Sequence, residues 1–204
     1  MKPILFNTEM VRAILEDGKT VTRRTIKDLP QDAKRIGWVT GSGNAKSYDV
    51  AAFDINGNRR DYKTRYLIGD TLYVRETWQK SPAGTYLYKT DNNGNLSNGH
   101  VYKWKPSIHM PKEAARLFLH VTNVRVERLQ DMCLRDFINE GIVIREESFN
   151  DPENAYYQAK EFFRELWNST IKEAELGEYG WDANPYVFAY EFEVISKAEA
   201  IKEY

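Results

Sequence analysis

Residues 186–195 read YVFAYEFEVI, and this stretch limits the possible folds more than any other. Tyr186, Phe188, Tyr190, Phe192 and Val194 alternate with Val187, Ala189, Glu191 and Glu193. A period of two puts the large apolar side chains on one face of an extended strand, whereas a helix would scatter them around its circumference. A strand of this length needs partner strands and a layer to cover its apolar face. A second long strand is expected over 115–129, ARLFLHVTNVRVERL, with a bulge near Thr122 and Asn123, where the alternation slips.

Helical periodicity appears elsewhere. In NTEMVRAILEDG (7–18), Met10, Val11, Ile14 and Leu15 share a face, Asn7 or Thr8 is placed to cap, and Gly18 to stop the helix. In DPENAYYQAKEFFRELWNSTI (151–171), Pro152 suits the first turn, and the stripe runs Ala155, Tyr156, Ala159, Phe162, Phe163, Leu166, Trp167. A short helix is expected in LQDMCLRDFINEGI, capped by Asp131 and ended by Gly141. Short strands are expected at 3–6 and within IGDTLYVRETW (68–78), and a polar-tipped hairpin over 84–104. Segment 27–66 is polar and reads as an insertion with a hairpin around INGN (55–58). The class implied is α+β in a single domain over 1–204, with insertions at 27–66 and 79–103.

Net charge is -1 over 204 residues, which argues against a general nucleic-acid binder. The distribution is uneven: residues 1–80 hold 15 Lys/Arg against 10 Asp/Glu. Cys133 is the single cysteine, so no internal disulfide can form, and its apolar neighbours suggest a packed thiol. His100, His109 and His120 are widely spaced, and no metal cluster or cofactor motif is visible. No apolar run reaches membrane-spanning length and no signal peptide is evident, so a cytoplasmic protein with no membrane partner is expected.

Candidate chemistry concentrates in GKTVTRR (18–24), just beyond the first helix, as exposed loop or edge strand. A lysine beside other cations or out of water loses its proton more readily, and Lys19 so tuned can act as base toward the Thr22 hydroxyl. Arg23 and Arg24 are candidates for anion binding. Glu140 ends the short helix, where a carboxylate opposes the helix dipole and so favours a cationic partner. Other candidate substrate contacts are Arg75, Glu76 and Trp78 at a strand end, and Ser107 and His109 in the loop WKPSIHMP (104–111). Each has a plainer reading as ion pair, core residue or solvated loop.

Taken together, ILEDGKTVTRR, GDTLYVRETW, VTNVRVERLQDMCLRDFINEGI and NPYVFAYEFEVI resemble the ASCH domain family of the PUA-like superfamily. The resemblance runs from about residue 2 to 194, and WKPSIHMP resembles the subgroup found in phage and prophage proteins. It implies a small β-barrel with flanking helices and RNA binding beside the barrel. One branch of the family hydrolyses N4-acetylcytidine without a metal, using a Lys and a Thr of a KTxT segment and a Glu on a later helix. The matching positions are Lys19, Thr22 and Glu140, and the branch's next arginine matches Arg24. The chain is about twice as long as members of that branch. Two functions are therefore expected: an amidohydrolase acting on an acylated nucleobase or nucleoside, or a non-catalytic module binding RNA or a modified nucleotide. A third is a phage accessory protein that binds a host protein. In the hydrolase, either Lys19 activates Thr22, or Glu140 activates water while Lys19 stabilises the oxyanion.

Overall fold

The computed structural model describes residues 1–16, 18–33, 35–40, 48–54, 56–92 and 103–202. In chain order its main elements are β1 (Lys2–Leu5), α1 (Thr8–Leu15), β2 (Val21–Thr25), β3 (Arg35–Thr40), β4 (Tyr48–Phe53), β5 (Arg59–Lys63), β6 (Thr71–Arg75), β7 (Trp78–Lys80), β8 (Tyr86–Tyr88), α2 (Lys89–Asn92), β9 (Phe118–Arg128), α3 (Leu134–Asn139), α4 (Pro152–Ser169) and β10 (Tyr186–Ile195). The fold is mixed α+β.

The alternating segment 186–195 is the spine of the main sheet, whose strand order is β1-β6-β9-β10-β2. β10 runs antiparallel to both neighbours, β9 and β2. The expected bulge is present: Glu191 pairs with Asn123 and Phe192 with Val121, which leaves Thr122 as the extra residue. Phe188, Tyr190 and Phe192 enter one core with Ile4, Leu72, Leu119 and Val121. Val187 enters a second core on the opposite face, beneath α3 and α4, with Phe137, Phe163, Trp167 and Trp181. β10 is thus covered on both faces.

Among the described residues the main sheet does not close into a barrel. β1 pairs only with β6 and β2 only with β10, so both lie at edges. A side chain spans the seam between them, since Arg24 Nη2 donates to Leu5 O at 3.2 Å.

The helix ends follow local chemistry. Asn7 Oδ1 accepts from Met10 N at 2.8 Å, and Asp151 Oδ1 accepts from Asn154 N at 3.1 Å. In α4, Ala155, Ala159, Phe163 and Trp167 are buried, but Phe162 is more than half exposed. α3 is preceded by Cys133, not capped by Asp131, and Asp136 reaches back to accept from Cys133 N at 3.0 Å. Cys133 lies before the helix and off its buried face, so its thiol is exposed, against the packed thiol expected.

One further expectation is corrected. The hairpin pairs Trp78–Lys80 with Tyr86–Tyr88, earlier in the chain than 84–104, because the Ser81–Thr85 turn closes it first; the polar tip at 93–102 lies outside the described residues. The hairpin expected around 55–58 is present as the antiparallel pair β4–β5. Segment 27–66 forms the sheet β3-β4-β5, turning at Asp54–Asn58, and its Val50, Ala52, Tyr62 and Tyr66 join the main core.

Candidate functional site

β2 has one neighbour and carries polar residues toward both faces of the sheet. Thr22 is opposite Tyr190 and Arg24 opposite Phe188, so both share the face of the main core. Arg23 is opposite Ala189, which itself is opposite Arg125, and therefore points to the other face. The lead-in to β2 is stitched to the end of α3. Thr20 N donates to Asn139 O at 2.8 Å, and Phe192 N to Thr20 O at 2.9 Å. Gly141 ends α3 at φ +92°, a conformation glycine tolerates best, and its missing side chain lets the chain pass close to Ala13 and Lys19.

The segment expected to be exposed is largely buried. Lys19, Thr22, Arg23 and Glu140 are each at most 4% exposed. Lys19 Nζ donates to Glu140 Oε2 at 2.6 Å, to Val21 O at 2.7 Å and to Glu140 O at 2.9 Å. All three ammonium hydrogens are therefore used. Burial pulls the Lys19 pKa below the ordinary lysine value, Glu140 opposes that, and Arg24 and Arg23 add to it. Glu140 is bidentate in function, because its Oε1 accepts from Arg23 Nη1 at 3.1 Å.

Thr22 Oγ1 accepts from Arg24 Nη1 at 2.8 Å, which leaves its own hydrogen available. The ring of Phe6 lies between two cations, with Lys19 Nζ 5.7 Å and the Arg24 guanidinium carbon 5.4 Å from its centroid. Tyr190 packs edge-on to Tyr66 at 5.1 Å. Thr64 gives its one hydroxyl hydrogen to Tyr66 O, so Tyr190 donates across the 3.0 Å contact to Thr64 Oγ1.

These groups border a cleft of about 870 Å³. Lys19, Thr22, Arg23, Arg24 and Glu140 all line it. Segment 27–66 supplies an opposite wall through Lys27, Arg60, Lys63, Arg65 and Tyr66, and α4 contributes Leu166 and Trp167. Among the described residues seven cationic side chains line the cleft against three acidic ones, although the whole chain is at -1. Tyr66 and Tyr190 were missed as cleft residues; Tyr190 reads only as core in an alternating strand, and nothing local marks Tyr66.

The remaining candidates lie elsewhere, and none of Arg75, Glu76, Trp78, Ser107 and His109 lines the cleft. Glu76 is buried and takes Arg116 Nε and Nη2 at 2.9 and 3.1 Å and Thr90 Oγ1 at 3.0 Å, a tie between β6 and the chain around α2. Trp78 is buried against Tyr86, with Lys105 Nζ 5.1 Å from its ring centroid, so its faces are taken and no base can stack there. Arg75 Nη2 donates to Ile108 O. Ser107 and His109 form a short 3-10 turn.

Among the described residues, no three His, Cys, Asp or Glu side chains converge in the manner of a metal centre, and no helix is long and apolar enough to cross a membrane. Comparison with models of protein families, with curated proteins and with solved structures found no match.

Proposed function

We propose that this chain is an ASCH-type hydrolase that removes the acyl group from the exocyclic amine of a nucleobase or nucleoside, with N4-acetylcytidine as the trial substrate. The proposal includes the PUA-like assignment, with the seam between β1 and β2 taken as the place where the ring of strands stays open. One observation carries the reading. Lys19 and Glu140, far apart in sequence, are paired at 2.6 Å in a cleft that Thr22 also lines. A buried lysine with a depressed pKa beside a carboxylate in a cleft is the kind of group that does acid–base work.

Thr22 Oγ attacks the acyl carbonyl. Lys19 passes one ammonium hydrogen to Glu140 and takes the hydroxyl hydrogen of Thr22. Arg24, already on Thr22 Oγ1, stabilises negative charge there. Collapse of the tetrahedral adduct breaks the C–N bond, and Lys19 protonates the departing amine. Water then cleaves the Thr22 ester, releasing the carboxylate and restoring the hydroxyl. The alternative, in which Glu140 activates water, requires the carboxylate to give up Lys19 or Arg23, since both its oxygens are taken.

A second reading, an RNA- or nucleotide-binding module, is favoured by the cationic lining of the cleft. Incubation with N4-acetylcytidine and related acyl-nucleosides, followed by detection of cytidine and acetate, separates the two. Hydrolysis that disappears in Lys19→Ala, Thr22→Ala and Glu140→Ala supports the hydrolase. Absence of turnover together with salt-sensitive RNA binding leaves the binding module. Turnover that survives all three substitutions removes the site from consideration.

A further inference from the structure

We infer that Arg23 is a positioning residue: it holds Glu140 through Oε1, keeps Oε2 on Lys19, and couples the charge of Lys19 to carboxylates on the far face of the sheet. Its role as a positioner in catalysis rests on the hydrolase reading, but its control of Lys19 does not.

Arg23 looks from sequence like a second anion-binding arginine beside Arg24. The register separates them onto opposite faces of β2. Arg24 is exposed, whereas Arg23 is 2% exposed and surrounded by acid. Its Nε donates to Glu127 Oε1 at 2.7 Å, Nη2 to Asp136 Oδ1 at 2.9 Å and Nη1 to Glu140 Oε1 at 3.1 Å. Each of the three guanidinium nitrogens donates to a carboxylate, so the group is committed to acid within the protein. Burial alone would lower the Arg23 pKa, and the three carboxylates outweigh it and raise it, so the group is a permanent cation.

The arrangement is a relay of fixed charges that begins at the surface. Glu191 on β10 pairs with Arg125, and Arg125 Nε pairs with Glu127 Oε2 at 3.3 Å. Arg125 also lies 3.7 Å from Asp136. Glu127 and Asp136 hold Arg23, Arg23 holds Glu140, and Glu140 holds Lys19. The charged groups that face Lys19 itself are Glu140 at the end of α3 and Arg23 and Arg24 on β2. Ala189 is opposite Arg23 in β10, and a residue that small leaves room for a flat guanidinium to lie across the strands.

This geometry gives opposite signs for two substitutions, which a merely structural role would not. Arg23→Gln removes a cation near Lys19 and leaves Glu140 with Lys19 as its only cationic partner, so Lys19 holds its proton to higher pH. Glu127→Gln, one step further out, leaves Arg23 less neutralised and makes Lys19 release its proton at lower pH. The readout is the titration of the Lys19 Cε–Hε signal by NMR in [13C]lysine-labelled protein, with folding checked by thermal melting. The expected shift is roughly half a pH unit or more in each direction. Arg23→Lys, which keeps the charge but reaches fewer carboxylates, returns the midpoint toward that of the parent. Where hydrolysis is measured, its pH limb follows the same shifts.

Midpoints that do not move, or that move the same way in Arg23→Gln and Glu127→Gln, overturn the inference. Should Arg23→Gln fail to fold, Glu127→Gln alone decides: an unmoved or raised midpoint overturns it. If the parent protein hydrolyses no acyl-nucleoside, the hydrolase reading fails while the Lys19 titrations still decide the role of Arg23.

Discussion

Substituting either partner of the Lys19–Glu140 pair breaks the same 2.6 Å contact, yet the structure predicts different consequences. In Lys19→Met, Glu140 keeps Arg23 as counter-ion and the methionine fills much of the space of the lysine stem. The loss is the two carbonyl contacts and one ion pair, about 2–3 kcal/mol. In Glu140→Gln, Lys19 retains only Val21 O and Glu140 O as acceptors besides a neutral amide, so a buried ammonium has no counter-ion. Breaking a buried pair in this way costs about 3–5 kcal/mol. The protein has an escape, which is to release the proton of Lys19. With an unfolded pKa of about 10.4, that release costs about 4–5 kcal/mol at pH 7 and about 2 kcal/mol at pH 9. The sign follows from linkage. A lysine whose folded pKa is depressed binds fewer protons folded than unfolded, so stability rises with pH between the folded and unfolded values. Urea unfolding of both variants and the parent from pH 7 to pH 9 tests this. The stability of Glu140→Gln should rise by up to about 1.4 kcal/mol per pH unit and more steeply than that of the parent, in which Glu140 opposes the lowering of the Lys19 pKa, while the Lys19→Met protein, having no lysine there, should lack that slope. A Glu140→Gln deficit constant across this range, or the same slope in both variants, refutes the reasoning.

Three other outcomes are expected. Gly141→Ala should cost well over 1 kcal/mol, since φ is +92° and the new Cβ would meet Ala13 Cβ at 2.7 Å and Lys19 Cβ at 3.1 Å; adding Ala13→Gly in thermal melts should restore only the steric part. Glu76→Gln should lower stability by about 2 kcal/mol, because Arg116 loses its buried carboxylate and keeps only Asp91, and leave the KM of any acyl-nucleoside unchanged, because Glu76 does not line the cleft. Asp151→Ala should cost about 1 kcal/mol in urea unfolding through loss of the α4 cap.

The strongest local signals in the sequence survive as structure. The alternation of 186–195 is β10, the slip at Thr122 is a bulge, and Asn7, Pro152 and Gly141 sit at helix ends as their chemistry requires. Lys19, Thr22 and Glu140 were singled out from sequence and border one cleft. What sequence could not supply was facing. Arg23 and Arg24 are adjacent and chemically identical, and only strand register turns one toward three carboxylates and the other toward Thr22 and the face of the main core. Trp78 has the composition of a stacking platform, but Lys105 and Tyr86 already cover it. The main sheet stays open between β1 and β2, and an arginine side chain spans that seam. Segment 27–66 looked polar because its apolar residues are sparse; those few are spaced to reach the main core once β4 and β5 pair.

The distance along the chain between Lys19 and Glu140 has a consequence for biosynthesis. The contact spans 121 residues, so a ribosome that has delivered β2 must add all of β3 through α3 before the lysine meets its counter-ion. Until then Thr20 and Asn139 also lack their shared hydrogen bond, and β10, the neighbour of β2, has not been made. Loop closure over that length costs only logarithmically more entropy than over a short one, but it delays the contact. The cleft is therefore a late product of folding, and a chain released short of residue 195 would lack part or all of the strand that holds Thr22 in place.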